Sequence, residues 1–226
     1  MATGVFAEMM ARGAEVRYFK KLKWSYNWLA RHHSRNHRKI LIIDDEITYM
    51  GSANITAYSL NWRELVIRFK GPITRIFKRS FLQSRRIYNK LYLNTKTYSA
   101  TMVYQDFKLM RDVPSITKQR VKKRFEDLIR SAKNEIIIET PYFLPGHMLR
   151  KLLIDAARRG VQIKVITPYR SDVGMVDTLR SKYMGHLHKN GVEFKLYMAY
   201  NLHAKLLMVD NKVFSVGSTN FDYRSF

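Results

Sequence analysis

Hydrophobic positions in the second part of the chain alternate between helical and strand spacing. Residues 118–133 place apolar side chains on one helix face, and 135–139 form a short β-branched run typical of a buried strand. The same reasoning predicts helices at 148–159 and 176–189, and strands at 161–167, 192–197, 205–209 and 213–216. This alternation predicts an α/β fold with a parallel or mixed sheet flanked by helices.

The first part of the chain shows only the end of this pattern. We predict the end of a helix at 7–12 and strands at 15–19, 39–43, 48–50 and 65–69. A long helix begins at Pro72, and its apolar face contains Ile73, Phe77, Phe81, Ser84, Tyr88 and Leu91. Residues 94–117 predict a linker with weak strand character around 101–104.

An internal repeat relates the two parts. Six residues recur at a single offset of 166 positions: His37, Lys39, Asp44, Gly51, Ser52 and Asn54 correspond to His203, Lys205, Asp210, Gly217, Ser218 and Asn220. A fixed offset indicates duplication of a structural unit. We therefore predict two pseudo-symmetric halves, 1–93 and 118–226, joined by the linker 94–117. The offset places the counterpart of residue 118 before Met1, so we expect the first half to lack its N-terminal part.

Composition restricts the possible partners. The formal net charge is +23, which favours polyanions such as nucleic acid or an anionic lipid surface. The chain contains no cysteine, which excludes disulfides and thiolate metal sites. No apolar run approaches the length of a membrane-spanning helix, and residues 1–12 do not resemble a signal peptide.

The repeated residues suit phosphodiester chemistry. Cleavage without a metal needs a nucleophile, an acid for the leaving oxygen and fixed positive charge for the transition state. Alternate side chains of a strand share one face, so His37 and Lys39 should point the same way, as should His203 and Lys205. Two such units that face each other would supply all three requirements.

Other repeated positions should complete this site. Asn54 and Asn220 can donate amide hydrogens to the phosphate, and Gly51–Ser52 and Gly217–Ser218 lie on turns where the backbone can approach it. A histidine also needs a partner on its second ring nitrogen, and we predict that Glu64 serves His37.

These residues resemble the phospholipase D superfamily, whose signature His-x-Lys-x4-Asp-x6-Gly-Ser-x-Asn is matched at both sites. The runs Glu139–Pro145, 156–161, Ser171-Asp172, Phe221–Phe226 and Asn61–Glu64 are similar to those of bacterial cardiolipin synthases. The resemblance implies transfer of a phosphatidyl group between two phosphatidylglycerol molecules, without metal or cofactor.

The resemblance also implies roles for individual residues. His37 would be the nucleophile and His203 the acid and then the base, although the pseudo-symmetry leaves the reverse open. Asp44 and Asp210 would be structural. For Tyr142 and Phe143 we expect either a place in the core or one that lines the substrate pocket. The family places an acidic group that orients the second histidine after the last residue of this chain, so we expect this sequence to be truncated at both ends.

The basic and aromatic stretch 16–43 fits docking on an anionic membrane, here the bacterial cytoplasmic membrane, and also fits single-stranded nucleic acid. Phosphatidylglycerol and the membrane surface are the predicted partners. A superfamily nuclease, a phospholipase that uses water, and an inactive fragment that binds anionic membranes are the alternatives. The sequence leaves the oligomeric state open.

Overall fold

A computed structural model describes residues 4–17, 37–87, 100–111, 119–172 and 174–222. The first half begins with helix α1, followed by a three-stranded antiparallel sheet and a second helix. A short hairpin comes next along the chain. The elements are α1 (Val5–Ala11), β1 (Lys39–Ile43), β2 (Ile47–Gly51), β3 (Val66–Lys70), α2 (Thr74–Ile87), β4 (Met102–Tyr104) and β5 (Phe107–Leu109).

The second half contains a five-stranded mixed sheet with helices packed against it. Its elements are α3 (Arg120–Ser131), β6 (Glu135–Glu139), β7 (Phe143–Leu144), α4 (His147–Arg158), β8 (Gln162–Pro168), α5 (Gly174–His188), β9 (Val192–Tyr197), β10 (Leu206–Val209), β11 (Val213–Val216) and β12 (Phe221–Asp222). The strand order is β11-β10-β6-β8-β9. Strands β6, β8 and β9 run parallel to one another, and β10 runs antiparallel to both of its neighbours, β6 and β11. The predicted α/β class with mixed sheets is confirmed.

The two motif hairpins, β1–β2 and β10–β11, have the same turn. Each turn has three residues between the last paired positions of its strands. The first two residues of each turn are left-handed, with φ of 51° and 59° at Asp44 and Asp45, and 54° and 51° at Asp210 and Asn211. Asp and Asn tolerate this conformation better than most residues because their short side chains can hydrogen-bond locally. The repeat found in the sequence is therefore also a repeat of backbone geometry.

The halves have separate cores. The larger core lies in the second half, where the buried faces of α3 and α4 meet the strands. The smaller core surrounds Phe77 of α2, which has no exposed surface. The hairpin β4–β5 lies within the predicted linker, yet its buried Met102 and Leu109 belong to this smaller core.

Three local predictions need correction or lie outside the described residues. Phe81 is 54% exposed because the buried side of α2 runs through Thr74, Phe77 and Ser80 instead. The described residues 15–17 form no strand, and 18–19 lie outside the described part of the chain. Tyr88 and Leu91 of the predicted helix face, and residues 18–36 of the basic stretch, also lie outside it.

Candidate active site

The two His-x-Lys units have the same local geometry. The Lys39 ammonium donates to the backbone carbonyl of His37 over 2.7 Å, and the Lys205 ammonium donates to that of His203 over 2.5 Å. The first motif is the more exposed of the two. Its His37 lies at the surface, whereas Lys205 of the second motif is only 5% exposed. The duplicated motif therefore gives two similar hairpins in unequal surroundings.

The segment around Arg63 joins the two halves. Its backbone forms a parallel bridge with Leu202, and its N–H donates to the Asn201 carbonyl over 2.8 Å. The Arg63 carbonyl accepts the N–H groups of His203 and Ala204 at 2.8 and 3.0 Å. The backbone of the first half thereby fixes the chain that enters the second motif.

The Arg63 side chain adds an ion pair between the halves. Its Nε lies 2.8 Å from Oε1 of Glu139, whose carboxylate is buried. The guanidinium also lies 5.5 Å from the centre of the Tyr197 ring. Both contacts hold the segment 62–64 against the second half.

Glu64 contacts the histidine of the second motif. Its Oε1 lies 2.8 Å from Nδ1 of His203, and its Oε2 accepts a hydrogen bond from the buried hydroxyl of Ser52. We predicted Glu64 as the partner of His37, but the parallel bridge at Arg63 turns it towards His203. A carboxylate at Nδ1 holds the ring proton there and leaves Nε2 free to react.

Ser52 therefore positions a carboxylate. The Leu65 N–H donates to the Ser52 hydroxyl over 2.9 Å, and the Ser52 N–H donates to the Leu65 carbonyl over 3.0 Å. These bonds fix Ser52 behind Glu64, where it has no exposed surface for the substrate contact that we expected. Its counterpart Ser218 is half-buried.

The lysines and His203 share one electrostatic environment. Burial, helped by the positive charge of Lys39 and opposed by Glu64, lowers the pKa of Lys205 to about 7. Burial and the charges of Lys205 and Lys39 lower the pKa of His203, whereas the carboxylate of Glu64 raises it. Burial also lowers the pKa of Lys39. A lysine of the first half therefore acts on both motif side chains of the second half, as convergence of the motifs requires.

Two further carboxylates lie near this site. The charges of Asp172 and Asp222 favour the protonated form of Lys205. The Tyr142 hydroxyl donates to Asp172 over 2.5 Å, and burial together with that bond raises the Tyr142 pKa. Tyr142 is half-buried, and its predicted contact with substrate stays a prediction.

The sequence analysis assigned no role to several of these residues: Trp62, Arg63, Asp172 and Asp222. The Trp62 ring lies 5.1 Å from the His203 ring. None of the four has a counterpart of the same type at the repeat offset, so the signal that revealed the motifs could not reveal them. All four lie in runs that resemble the family, which was the only available signal.

Of the two places expected for Phe143, the structure shows the one in the core. It has no exposed surface, and its ring lies 5.6 and 5.7 Å from those of Phe194 and Phe221. An aromatic ring enclosed in this way belongs to the hydrophobic core. The alternative contact between Phe143 and substrate is therefore replaced by a packing role.

Asp210 has the structural geometry that we expected. Its carboxylate accepts backbone N–H groups of Lys133, Asn134 and Glu135 at 2.7 to 3.2 Å. These bonds lower its pKa. Asp210 thus ties the second motif hairpin to the start of β6.

The motif glycines and asparagines differ between the halves. A Cβ atom on Gly51 would lie 2.1 Å from the Leu65 carbonyl oxygen, whereas one on Gly217 would meet no atom within 4 Å. Asn54 accepts a hydrogen bond through its backbone carbonyl from Ser59 over 3.3 Å. The side-chain oxygen of Asn220 is buried with no hydrogen-bond partner among the described residues.

Neither a metal site nor a membrane-spanning helix is present in the described part of the chain. No group of three His, Cys, Asp or Glu side chains there could hold a metal ion. No helix in those ranges is long and apolar enough to cross a bilayer.

Known proteins share this sequence and fold. A family model described as cardiolipin synthase, PLD-like domain, matches residues 2–85 and 125–226. Cardiolipin synthase of Clostridium perfringens is 31% identical over 208 residues, which cover 85% of this chain and 44% of that protein. Cardiolipin synthase of Oceanobacillus iheyensis is 33% identical over 206 residues, which cover 85% and 42%. This chain thus spans less than half the length of these relatives.

A solved structure supports the fold independently. Phosphatidylserine synthase of Haemophilus influenzae aligns with 84% of this chain and 55% of its own, with a TM-score of 0.57 at 12% identity. That alignment extends over both halves. The duplicated motifs and the family match together show that the chain belongs to the cardiolipin synthase family of the phospholipase D superfamily.

Proposed function

We propose that the chain carries the catalytic site of a phosphatidyltransferase that makes cardiolipin from two phosphatidylglycerol molecules and releases glycerol. The observation that carries this proposal is the bond from His203 to Glu64, which joins the second motif to the first half over 2.8 Å. The relatives named cardiolipin synthase supply the substrate class. We place the protein at the surface of the bacterial cytoplasmic membrane.

The first step forms a phosphohistidine. The free imidazole nitrogen of His37 attacks the phosphorus of phosphatidylglycerol, and the bond from phosphorus to the glycerol oxygen breaks. His203, protonated on Nε2, gives that proton to the departing glycerol. Lys39 and Lys205 stabilise the negative charge on the non-bridging oxygens.

The second step transfers the phosphatidyl group. Neutral His203 now removes the proton from an alcohol of the second phosphatidylglycerol, and this oxygen attacks phosphorus. The phosphorus–nitrogen bond breaks, and His37 is regenerated. Glu64 supports both changes because its carboxylate stabilises the imidazolium form of His203. Water in place of the lipid alcohol would give phosphatidic acid instead.

Entry of the anionic substrate should reverse the shifts seen in the free site. A phosphodiester between the lysines favours their charged forms, and it favours the imidazolium of His203. The partly neutral lysine of the free protein would thus become charged when it is needed. This coupling fits a site that holds a phosphate group.

The test uses vesicles of phosphatidylglycerol labelled in the phosphate. Wild-type protein should form cardiolipin and a labelled, acid-labile protein intermediate, whereas His37→Ala should form neither. His203→Ala should form the intermediate slowly, because its acid is lost. Label on the His37→Ala variant would reverse the two histidine roles.

Three control measurements separate the alternatives. Phosphatidic acid as the main product would indicate a hydrolase. Nicking of labelled DNA that is lost in His37→Ala, without cardiolipin formation, would indicate a nuclease. Vesicle binding without turnover, unchanged in the double variant of both histidines, would indicate an inactive membrane-binding chain.

A further inference from the structure

A buried guanidinium lies under α2, on a part of the first half that the motifs do not use. Arg111 is 3% exposed, and its two terminal nitrogens donate to neutral acceptors only. Nη1 lies 3.3 Å from the Ser80 hydroxyl, and Nη2 lies 2.6 Å from Oε1 of Gln83. Its Nε is buried with no hydrogen-bond partner, and no carboxylate of the described residues forms an ion pair with it.

This arrangement lacks a counter-charge. A buried cation is expensive unless an anion or carboxylate balances it. Neighbouring cations increase the need for a negative charge here. Burial and the charges of Arg38 and Arg79 lower the pKa of Arg111 to about 10. The position therefore favours an anion supplied from outside the described chain.

An open groove lies on the outer face of α2, next to Arg111. It has a volume of about 440 Å³ and is lined by Arg75, Lys78, Arg79, Leu82, Gln83 and Arg86. Gln83 connects the two features, because it lines the groove and accepts the hydrogen bond from Arg111. Lys78 is paired with Asp45, whereas none of the carboxylates described forms an ion pair with Arg75, Arg79 or Arg86.

An apolar side chain stands among these cations. Leu82 lines the groove and is 38% exposed, although it is a large hydrophobic residue on an otherwise charged helix face. A guanidinium group can donate two parallel hydrogen bonds to two oxygens of one phosphate. Exposed apolar residues among cations are typical of helices that lie in a membrane interface. A free phosphate ion would use only the cations, whereas a lipid would use both.

We propose that this groove binds the phosphodiester head group of an anionic phospholipid within a membrane surface, with Leu82 entering the interface. None of the groove residues belongs to the motifs, so this site is separate from the site of phosphatidyl transfer. The proposal does not require the chain to be catalytically active. It would hold the protein on the membrane that contains its substrate.

The main test compares two charge-matched double variants of the full chain in vesicle co-sedimentation. Arg79→Gln/Arg86→Gln removes two cations from the groove. Lys123→Gln/Lys151→Gln removes two exposed cations from α3 and α4. With phosphatidylcholine vesicles that contain phosphatidylglycerol, the groove variant should bind about 30-fold more weakly than wild type, from about 1 kcal/mol for each cation at an anionic surface.

The control variant should lose only a few-fold, and neither variant should bind pure phosphatidylcholine. Equal losses in the two variants would overturn the proposal, because general attraction by the net charge would then explain binding. Co-sedimentation measures binding without turnover. A negative result for the groove can therefore be told apart from an absence of the proposed transferase activity.

Two more variants separate lipid from free phosphate and test the buried cation. Leu82→Ser should weaken binding to the phosphatidylglycerol vesicles several-fold, whereas an unchanged affinity would contradict membrane insertion. Arg111→Met should fold, yet gain less thermal stability from these vesicles than wild type. Inorganic phosphate at equal ionic strength should stabilise wild type far less than the vesicles do, and equal stabilisation would assign the groove to a free anion.

Discussion

Replacement of Lys205 by methionine should stabilise the fold while removing the proposed activity. Lys205 is 5% exposed, and its pKa falls from an ordinary value of 10.5 to about 7. Methionine has a similar length and no charge to bury. The buried ammonium therefore lowers the stability of the free protein, a cost that the proposed contact with substrate phosphate would explain.

The size of the effect follows from the pKa. Below pH 7 both the folded and the unfolded chain carry the charged lysine, and the full cost of its burial is present, about 5 kcal/mol. Between pH 7 and 10.5 the folded chain has lost the proton while the unfolded chain keeps it. The cost therefore shrinks by about 1.4 kcal/mol for each pH unit and vanishes above pH 10.5.

The assay is urea unfolding of wild type and Lys205→Met from pH 6 to pH 10. The difference in the free energy of unfolding should be greatest at pH 6 and fall steadily above pH 7. Lys39→Met is the matched control, and because Lys39 is less buried its difference should have the same sign and a smaller dependence on pH. Parallel stability curves for wild type and Lys205→Met would refute the reasoning.

Three other experiments test the geometry of the site. Gly51→Ala should destabilise the fold by several kcal/mol, because its Cβ would overlap the backbone at the start of β3. Gly217→Ala has open space around it and should cost about 1 kcal/mol or less. Thermal unfolding of the two variants compares these costs. Asp210→Ala should lower the free energy of unfolding by about 2 to 4 kcal/mol, since three backbone amides lose their acceptor, and an unchanged melting temperature would contradict this role. Glu64→Gln should reduce kcat about 100-fold or more with little change in KM, and an NMR titration should show the pKa of His203 lowered further; an unaltered His203 titration would argue against the contact.

Much of the fold followed from local patterns. The strands 135–139, 192–197 and 213–216 have the bounds that the sequence predicted, and the helices of the second half differ at their ends by a few residues. Apolar spacing reports which face of an element is buried, so this information is contained in a short window. It failed for Phe81, because β1, β2 and β4 pack against α2 where Thr74, Phe77 and Ser80 are buried, and this packing leaves Phe81 exposed.

The duplication and the family could be inferred from local sequence, because a repeated motif at a fixed offset is independent of packing. The tertiary structure alone decided which groups meet: Glu64 and His203 are 139 positions apart, and their pairing depends on how the backbone of Arg63 lies against residues 201–204. The same holds for Arg111, which no local pattern marks as buried. Spacing along a chain fixes the direction of neighbouring side chains, whereas contacts between distant segments are fixed only when the halves pack together.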